Sequence, residues 1–344
     1  MKTKLKFLDR YLTVWIFSSM AIGLGLGYFF PSLSSKINSV SSGSTNILLA
    51  AGLLLMMYPP LVKVDYSSFL KLFEDKKIIS LSLILNWIIG PIFMFLLAIL
   101  FFPNEPELMS GLVLIGGARC IAMVLVWNEL AGGDRNYAAG LVALNSMFQL
   151  LTYSGISWLL ISVVPPYLGL NSFEIHVPFI EVANAVAVYL GIPFLLGISS
   201  RYLLIKYMGK VWFDRKFVPI VSPFTLYALM FTIIIMFSLK ASVIISLPFT
   251  VVRLAIPLVI YFVGIFLISF MLSKKLGATY SKNAAISFTA AGNNFELAIA
   301  VAISVFGLNS TQAMVGVIGP LIEVPALILL VKLSLWMRSK LYSK

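Results

Sequence analysis

The chain has 344 residues, of which 60% are hydrophobic and 11% charged, and its mean hydropathy is +1.00. A soluble domain carries roughly a quarter charged residues, so this composition excludes a soluble enzyme and an intrinsically disordered chain. The balance of 25 Lys and Arg against 13 Asp and Glu would suggest nucleic acid in a soluble protein, but long apolar runs dominate and point to a membrane.

A basic start, with Lys2, Lys4, Lys6 and Arg10, precedes an apolar run that no cleavage-site pattern follows. That run therefore reads as a span and not as a removable leader. Crossing a bilayer takes about 20 apolar residues. Ten stretches qualify: 11–30, 46–62, 78–102, 107–129, 136–164, 178–200, 219–239, 248–272, 283–306 and 311–336. The fold they predict is an all-α integral membrane protein with ten transmembrane helices. The run Gly23-Leu24-Gly25-Leu26-Gly27 lies inside the first of these, where glycines serve helix packing and not a nucleotide loop. Connections are short, and polar residues gather in 63–77 and 201–216. With the N-terminus cytoplasmic, 21 of the 25 Lys and Arg fall inside. Only Lys36 and Lys240 fall outside, while Arg119 and Arg253 lie within spans. This asymmetry predicts cytoplasmic termini and an even number of spans.

Ten spans divide into two sets of five. Because five is odd, a second copy of the first set must sit inverted. The predicted halves are residues 1–164, with helices one to five, and 165–344, with helices six to ten. Spans three and eight carry Pro91 and Pro257 at similar offsets. Span four is interrupted by Gly116-Gly117-Ala118-Arg119-Cys120, and span nine by Ala291-Gly292-Asn293-Asn294-Phe295-Glu296. Interruptions at matching places in two halves point to a transporter's binding site.

Both interruptions fall near the middle of their spans, which puts Arg119, Cys120 and Glu296 at mid-membrane depth. A charge there costs about 2.5–3.5 kcal/mol and faces a bundle interior or a water-filled path. Gly116, Gly117, Gly292, Asn293 and Asn294 would let the helices unwind and aim half-helix N-termini at the site. The plainer reading is close packing at the glycines and interhelical hydrogen bonding at the asparagines. Glu296 either exchanges a proton or forms a fixed pair with Arg119. Arg119 in turn either holds an anionic substrate or neutralises Glu296. Glu323 stands between Pro320 and Pro325, which predict an irregular helix, and it either lines the same cavity or makes a structural pair. Arg253 reads as snorkelling to the interface. Cys120 is the single cysteine. A lone membrane cysteine is ordinarily a small apolar packer, but this one follows an arginine in a Gly-rich break and would suit a soft metalloid. His176 is the single histidine and sits in an outside loop. No intrachain disulfide and no His/Cys metal centre follow, no cofactor is expected, and an intramembrane enzyme lacks its constellation.

The stretches Ile115-Gly116-Gly117-Ala118-Arg119-Cys120-Ile121-Ala122-Met123-Val124 and Val126-Trp127-Asn128 resemble the fourth-span signature of the arsenical-resistance arsenite efflux permeases. These belong to the bile acid/arsenite/riboflavin transporter superfamily. Residues 289–300, from Thr289 through Glu296 to Ala300, resemble their ninth-span signature. The start, Phe7-Leu8-Asp9-Arg10-Tyr11-Leu12, and the stretch Gly319-Pro320-Leu321-Ile322-Glu323-Val324-Pro325 also fit. The resemblance covers the whole chain. It implies an inverted five-helix repeat with broken helices four and nine crossing. It further implies a panel of helices 1, 2, 6 and 7, and a core of helices 3, 4, 5, 8, 9 and 10. By resemblance Cys120 and Glu296 are the transport residues, Cys120 being a transient As(III) ligand. The implied partners are arsenite, in some members antimonite, protons as coupling ion and the bilayer of the plasma membrane, with no nucleic acid. The nearest rival is a sodium-coupled organic anion carrier of the same superfamily, with Asn293, Asn294 and Glu296 supplying part of an oxygen cage for sodium. The cysteine motif argues against it.

Overall fold

The computed structural model describes residues 12–39, 41–42, 45–64, 75–170, 177–246 and 248–342. The basic residues Lys2, Lys4, Lys6 and Arg10, the stretch 7–11 and His176 lie outside the described residues. The described residues are mostly helical, with one short antiparallel pairing of two residues a side, Ser41–Ser42 with Thr45–Asn46, and one isolated bridge between extended segments. Helix covers each of the ten apolar stretches. Six helices are long and apolar enough to cross a membrane, and shorter apolar helices cover the remaining four. Large apolar side chains point outward, Leu100, Leu151 and Leu329 being 72%, 79% and 63% exposed. Lipid contact accounts for such a surface, which water would penalise.

The helices run in chain order as α1 (Leu12–Phe29), α2 (Pro31–Ser39), α3 (Ile47–Lys63) and α4 (Lys76–Phe101). They continue as α5 (Pro106–Gly117), α6 (Met123–Leu130), α7 (Arg135–Tyr167), α8 (Phe179–Met208) and α9 (Val218–Ser246). The last are α10 (Pro248–Lys275), α11 (Tyr280–Ala291), α12 (Phe295–Phe306) and α13 (Thr311–Leu341). Four π-helical turns, Leu85–Ile89, Leu159–Val163, Ala187–Gly191 and Phe213–Phe217, each end two residues before a proline. Those prolines are Pro91, Pro165, Pro193 and Pro219. A proline has no N–H, and its ring presses on the carbonyl four residues back. Widening the turn by one residue relieves both problems. Accordingly, the Gly90, Val164 and Val218 N–H groups donate to the carbonyls of Leu85, Leu159 and Phe213. Pro257 lies in α10 without such a turn, so the proline match between spans three and eight is not a match of local geometry. The irregularity expected around Glu323 is also absent, because α13 runs unbroken through Pro320 and Pro325.

The chain divides into two compact units. The first comprises Met1–Lys63 and Tyr189–Val251, so α8 is shared between units at its π turn. Within it α1 packs on α9 through glycine. A Cβ at Gly23 would lie 2.7 Å from the Ile234 carbonyl oxygen, and one at Gly27 would overlap the Ser238 carbonyl. Only backbone fits at this distance, so the Gly-rich run is a packing surface. The end of α3 is held by Arg201, which donates to the Lys63 carbonyl at 3.3 Å and stacks over Phe213.

The second unit comprises Val64–Val188 and Val252–Lys344 and holds both interruptions. Here the first π turn aims Trp87 at α7, where its Nε1–H donates to Asn145 Oδ1 at 3.2 Å. Asp75 begins α4, its carboxylate accepting from the Ile78 N–H. Arg253 does more than snorkel: it pairs with Glu105 and covers the Phe102 ring.

Candidate substrate site at two interrupted helices

Helices α5 and α11 each have 12 residues and each end in extended backbone. Ala118 follows α5 at φ −92°, ψ 125°, and Gly292 follows α11 at φ −77°, ψ 135°. The two extended segments meet as an antiparallel bridge between Arg119 and Asn293. The Cys120 N–H donates to the Gly292 carbonyl and the Asn294 N–H to the Ala118 carbonyl, both at 3.1 Å. Unwinding a helix in an apolar setting strands backbone groups unless protein or water satisfies them. Here each break satisfies the other. The chain then re-enters helix as α6 and α12, and Asn294 caps α12 by accepting the Leu297 N–H at 3.0 Å.

The remaining break amides are met from neighbouring helices. The Arg119 N–H donates to Gln149 Oε1 of α7, and the Asn293 N–H donates to Glu323 Oε1 of α13 at 3.1 Å. In both cases the acceptor follows its donor by 30 residues. The two half-helix ends are capped by side chains. Asn293 Nδ2 donates to the carbonyls of Ile115 and Ala118, at 2.8 and 3.0 Å. The guanidinium of Arg119 spans both ends, donating to the carbonyls of Gly116 in α5 and Ala290 in α11. It also donates to the Tyr261 hydroxyl of α10 at 2.9 Å.

Arg119 is fully buried, and its partners are carbonyls and a phenol. The carboxylate of Glu296, its expected partner in one reading from sequence, is not among them. Cys120 is 5% exposed and lies against Gly292, where an added Cβ would come within 3.0 Å of the cysteine Cβ. Glu323 is also buried, whereas Glu296, in the first turn of α12, is half-buried. Gly116 and Gly117 do not unwind: both stay in the last turn of α5, packed on Met94 and the Tyr153 ring. Absence of a side chain lets α5 approach its neighbours, and the break begins one residue later. At the crossing, four buried polar atoms have no hydrogen-bond partner among the described residues: Arg119 Nε, Gln149 Nε2, Asn293 Oδ1 and Asn294 Nδ2. They belong to the two breaks and to α7, and offer donors and an acceptor to a small hydroxylated solute.

Comparison with known proteins fixes the family. Residues 50–247 match the Sodium Bile acid symporter family. The chain is 50% identical over 339 residues to the arsenical-resistance protein Acr3 of Corynebacterium glutamicum, covering 98% of this chain and 92% of that one. It is 32% identical over 338 residues to the Acr3 of Alkaliphilus metalliredigens, covering 95% and 92%. An uncharacterized transporter of Synechocystis is 34% identical over 349 residues, covering 96% and 88%. The chain belongs to the Acr3 arsenical-resistance family.

In this Acr3-family chain, sequence reasoning named the residues at the breaks and Glu323, which holds one of them, and missed the other supports. Gln149 supports the Arg119 amide, Tyr261 binds its guanidinium, and Tyr153 donates to the Leu114 carbonyl at 3.0 Å. Single polar residues in apolar helices give little warning of their partners. One signal was available: Gln149 and Glu323 stand equally far beyond the two break residues.

Proposed function

We propose that this protein exports arsenite from the cytoplasm in exchange for protons and so confers arsenic resistance. The Acr3 relatives and the bile acid symporter match support a carrier of this class. The single observation that carries the chemistry is the thiol of Cys120 beside two reciprocally bonded helix breaks. Trivalent arsenic favours soft ligands, and a thiolate is one. Arsenous acid is mostly neutral near pH 7, so it needs hydrogen-bond partners more than a counter-charge. One thiol cannot form a three-sulfur cage, which favours release. Cys120 is the transient ligand, and oxygens of Asn293, Asn294 and Glu296 help to hold the solute. Half-helix N-termini at α6 and α12 favour its oxygens. Protonation of Glu296 from outside then favours release, and Glu323 lines the same site. Antimonite, a close chemical analogue, is a second substrate.

The topology of this reading is ten spans with both termini cytoplasmic, in the plasma membrane, built as two inverted five-helix repeats. Three features support the repeat: α5 and α11 are of equal length, their breaks pair antiparallel, and the acceptors follow at equal spacing. The unit holding both breaks is the core, and the other is the panel.

The test is arsenite uptake into everted vesicles with pH and voltage gradients set separately. Uptake driven by a proton gradient is expected. It should be lost in Cys120→Ser, and Glu296→Gln should uncouple it from the gradient. Full uptake by the first variant sinks the thiol role, and intact coupling in the second sinks the proton role.

A further inference from the structure

Two helices that break and point their C-terminal ends at one another create a cation site. Each end carries about half a negative charge and several free carbonyls. At this crossing the ends of α5 and α11 meet, and their carbonyls at Gly116 and Ala290 turn to a common point with the Tyr261 hydroxyl. A free alkali cation ringed by oxygens would satisfy such a place. In this chain the guanidinium of Arg119 already occupies it, fully buried, with no carboxylate in ion-pair contact among the described residues. Its single positive charge balances the two half-charges of the helix ends. The charge stays with the protein because the side chain is tethered to the break itself.

We infer that Arg119 is a built-in substitute for a coupling cation: it fills the oxygen cage at the helix crossing, makes the carrier independent of sodium, and leaves a vacant cation site when removed. The consequence for transport rests on the carrier reading, whereas the cage does not. Arg119 is thus a positioning residue, holding two half-helices in register. It also accounts for why a chain matching a sodium symporter family carries an arginine at its crossing.

The experiment follows thermal unfolding of purified protein in detergent by tryptophan fluorescence. Choline chloride is replaced by sodium, lithium or low-millimolar guanidinium chloride at constant ionic strength. The parent and Arg119→Lys should not respond. Arg119→Met should melt lower by roughly 5 °C or more, since two buried carbonyls and a phenol oxygen lose their donor. Its melting point should rise saturably with at least one of the three cations. The same cation should restore arsenite uptake by this variant in everted vesicles. No cation-specific rise in Arg119→Met, or an equal rise in the parent, overturns the inference. If Arg119→Met yields no folded protein, Arg119→Ala is extracted in each salt. Recovery only with a small cation supports the inference, while equal recovery in choline, or none in any salt, overturns it. A cation-dependent melt in a protein whose parent moves no arsenite would retain the cage and discard the carrier reading.

Discussion

At the residue scale the site turns on a contact between two breaks. Gly292 leaves room for Cys120: an alanine there would put its Cβ 3.0 Å from the cysteine Cβ and 3.2 Å from the Phe288 carbonyl oxygen. One of these neighbours belongs to a helix and cannot yield easily. Overpacking of this kind costs about 1–3 kcal/mol. We expect Gly292→Ala to remain folded, to melt lower than the parent and to displace the thiol, cutting arsenite uptake in everted vesicles. Uptake at the parental level would show that thiol placement does not limit transport. The residues at this contact were legible in the sequence because their chemistry conflicts with their surroundings: a thiol, an arginine and two asparagines in the middle of apolar runs. Their bonds were not legible. Arg119 and Glu296 are opposite charges at the same depth, which invites pairing, yet the guanidinium is taken by carbonyls that only folding brings near.

At the element scale, helix and break positions follow from local chemistry. Prolines place the four π turns, and the glycines before the fourth-span break let α5 pack tightly up to its last turn. The sequence suggested that these glycines themselves unwind. They stay helical because the preceding turn keeps its hydrogen bonds, while the stretch from Ala118 finds better partners across the bridge. What holds the bridge in place comes from α7 and α13, through Gln149 and Glu323. Gln149 is fully buried and its Oε1 is the acceptor for the Arg119 amide. Leucine at this position would fill similar space and leave that N–H unsatisfied, at a cost of about 1–3 kcal/mol. Gln149→Leu is therefore expected to lower the unfolding midpoint in detergent, and Gln149→Glu, which keeps an acceptor, to lower it less. Equal stability of Gln149→Leu and the parent would mean that the amide finds water or another acceptor.

At the scale of the whole molecule, the proposed orientation rests on the charge distribution. In the proposed topology two basic residues fall on one side against 21 on the other, an imbalance that retention of Lys and Arg in the cytoplasm would produce. The four remaining charges of the spans, Arg119, Arg253, Glu296 and Glu323, cancel and leave the topology signal untouched. Single cysteines read out the orientation directly, because Cys120 is buried and can be replaced by serine. Lys36, Arg135, Lys275 and Lys340 are all exposed and fall in different connections or at the C-terminal end. In the Cys120→Ser background, a membrane-impermeant maleimide added to intact cells should label Lys36→Cys. It should leave Arg135→Cys, Lys275→Cys and Lys340→Cys unlabelled until the vesicles are everted, when the pattern reverses. Labelling of Lys340→Cys in intact cells would place the C-terminus outside. The number of crossings beyond Lys36 would then be even, which an inverted pair of five-helix repeats cannot provide, and the symmetry argument built on the equal spacing of Gln149 and Glu323 would fall with it.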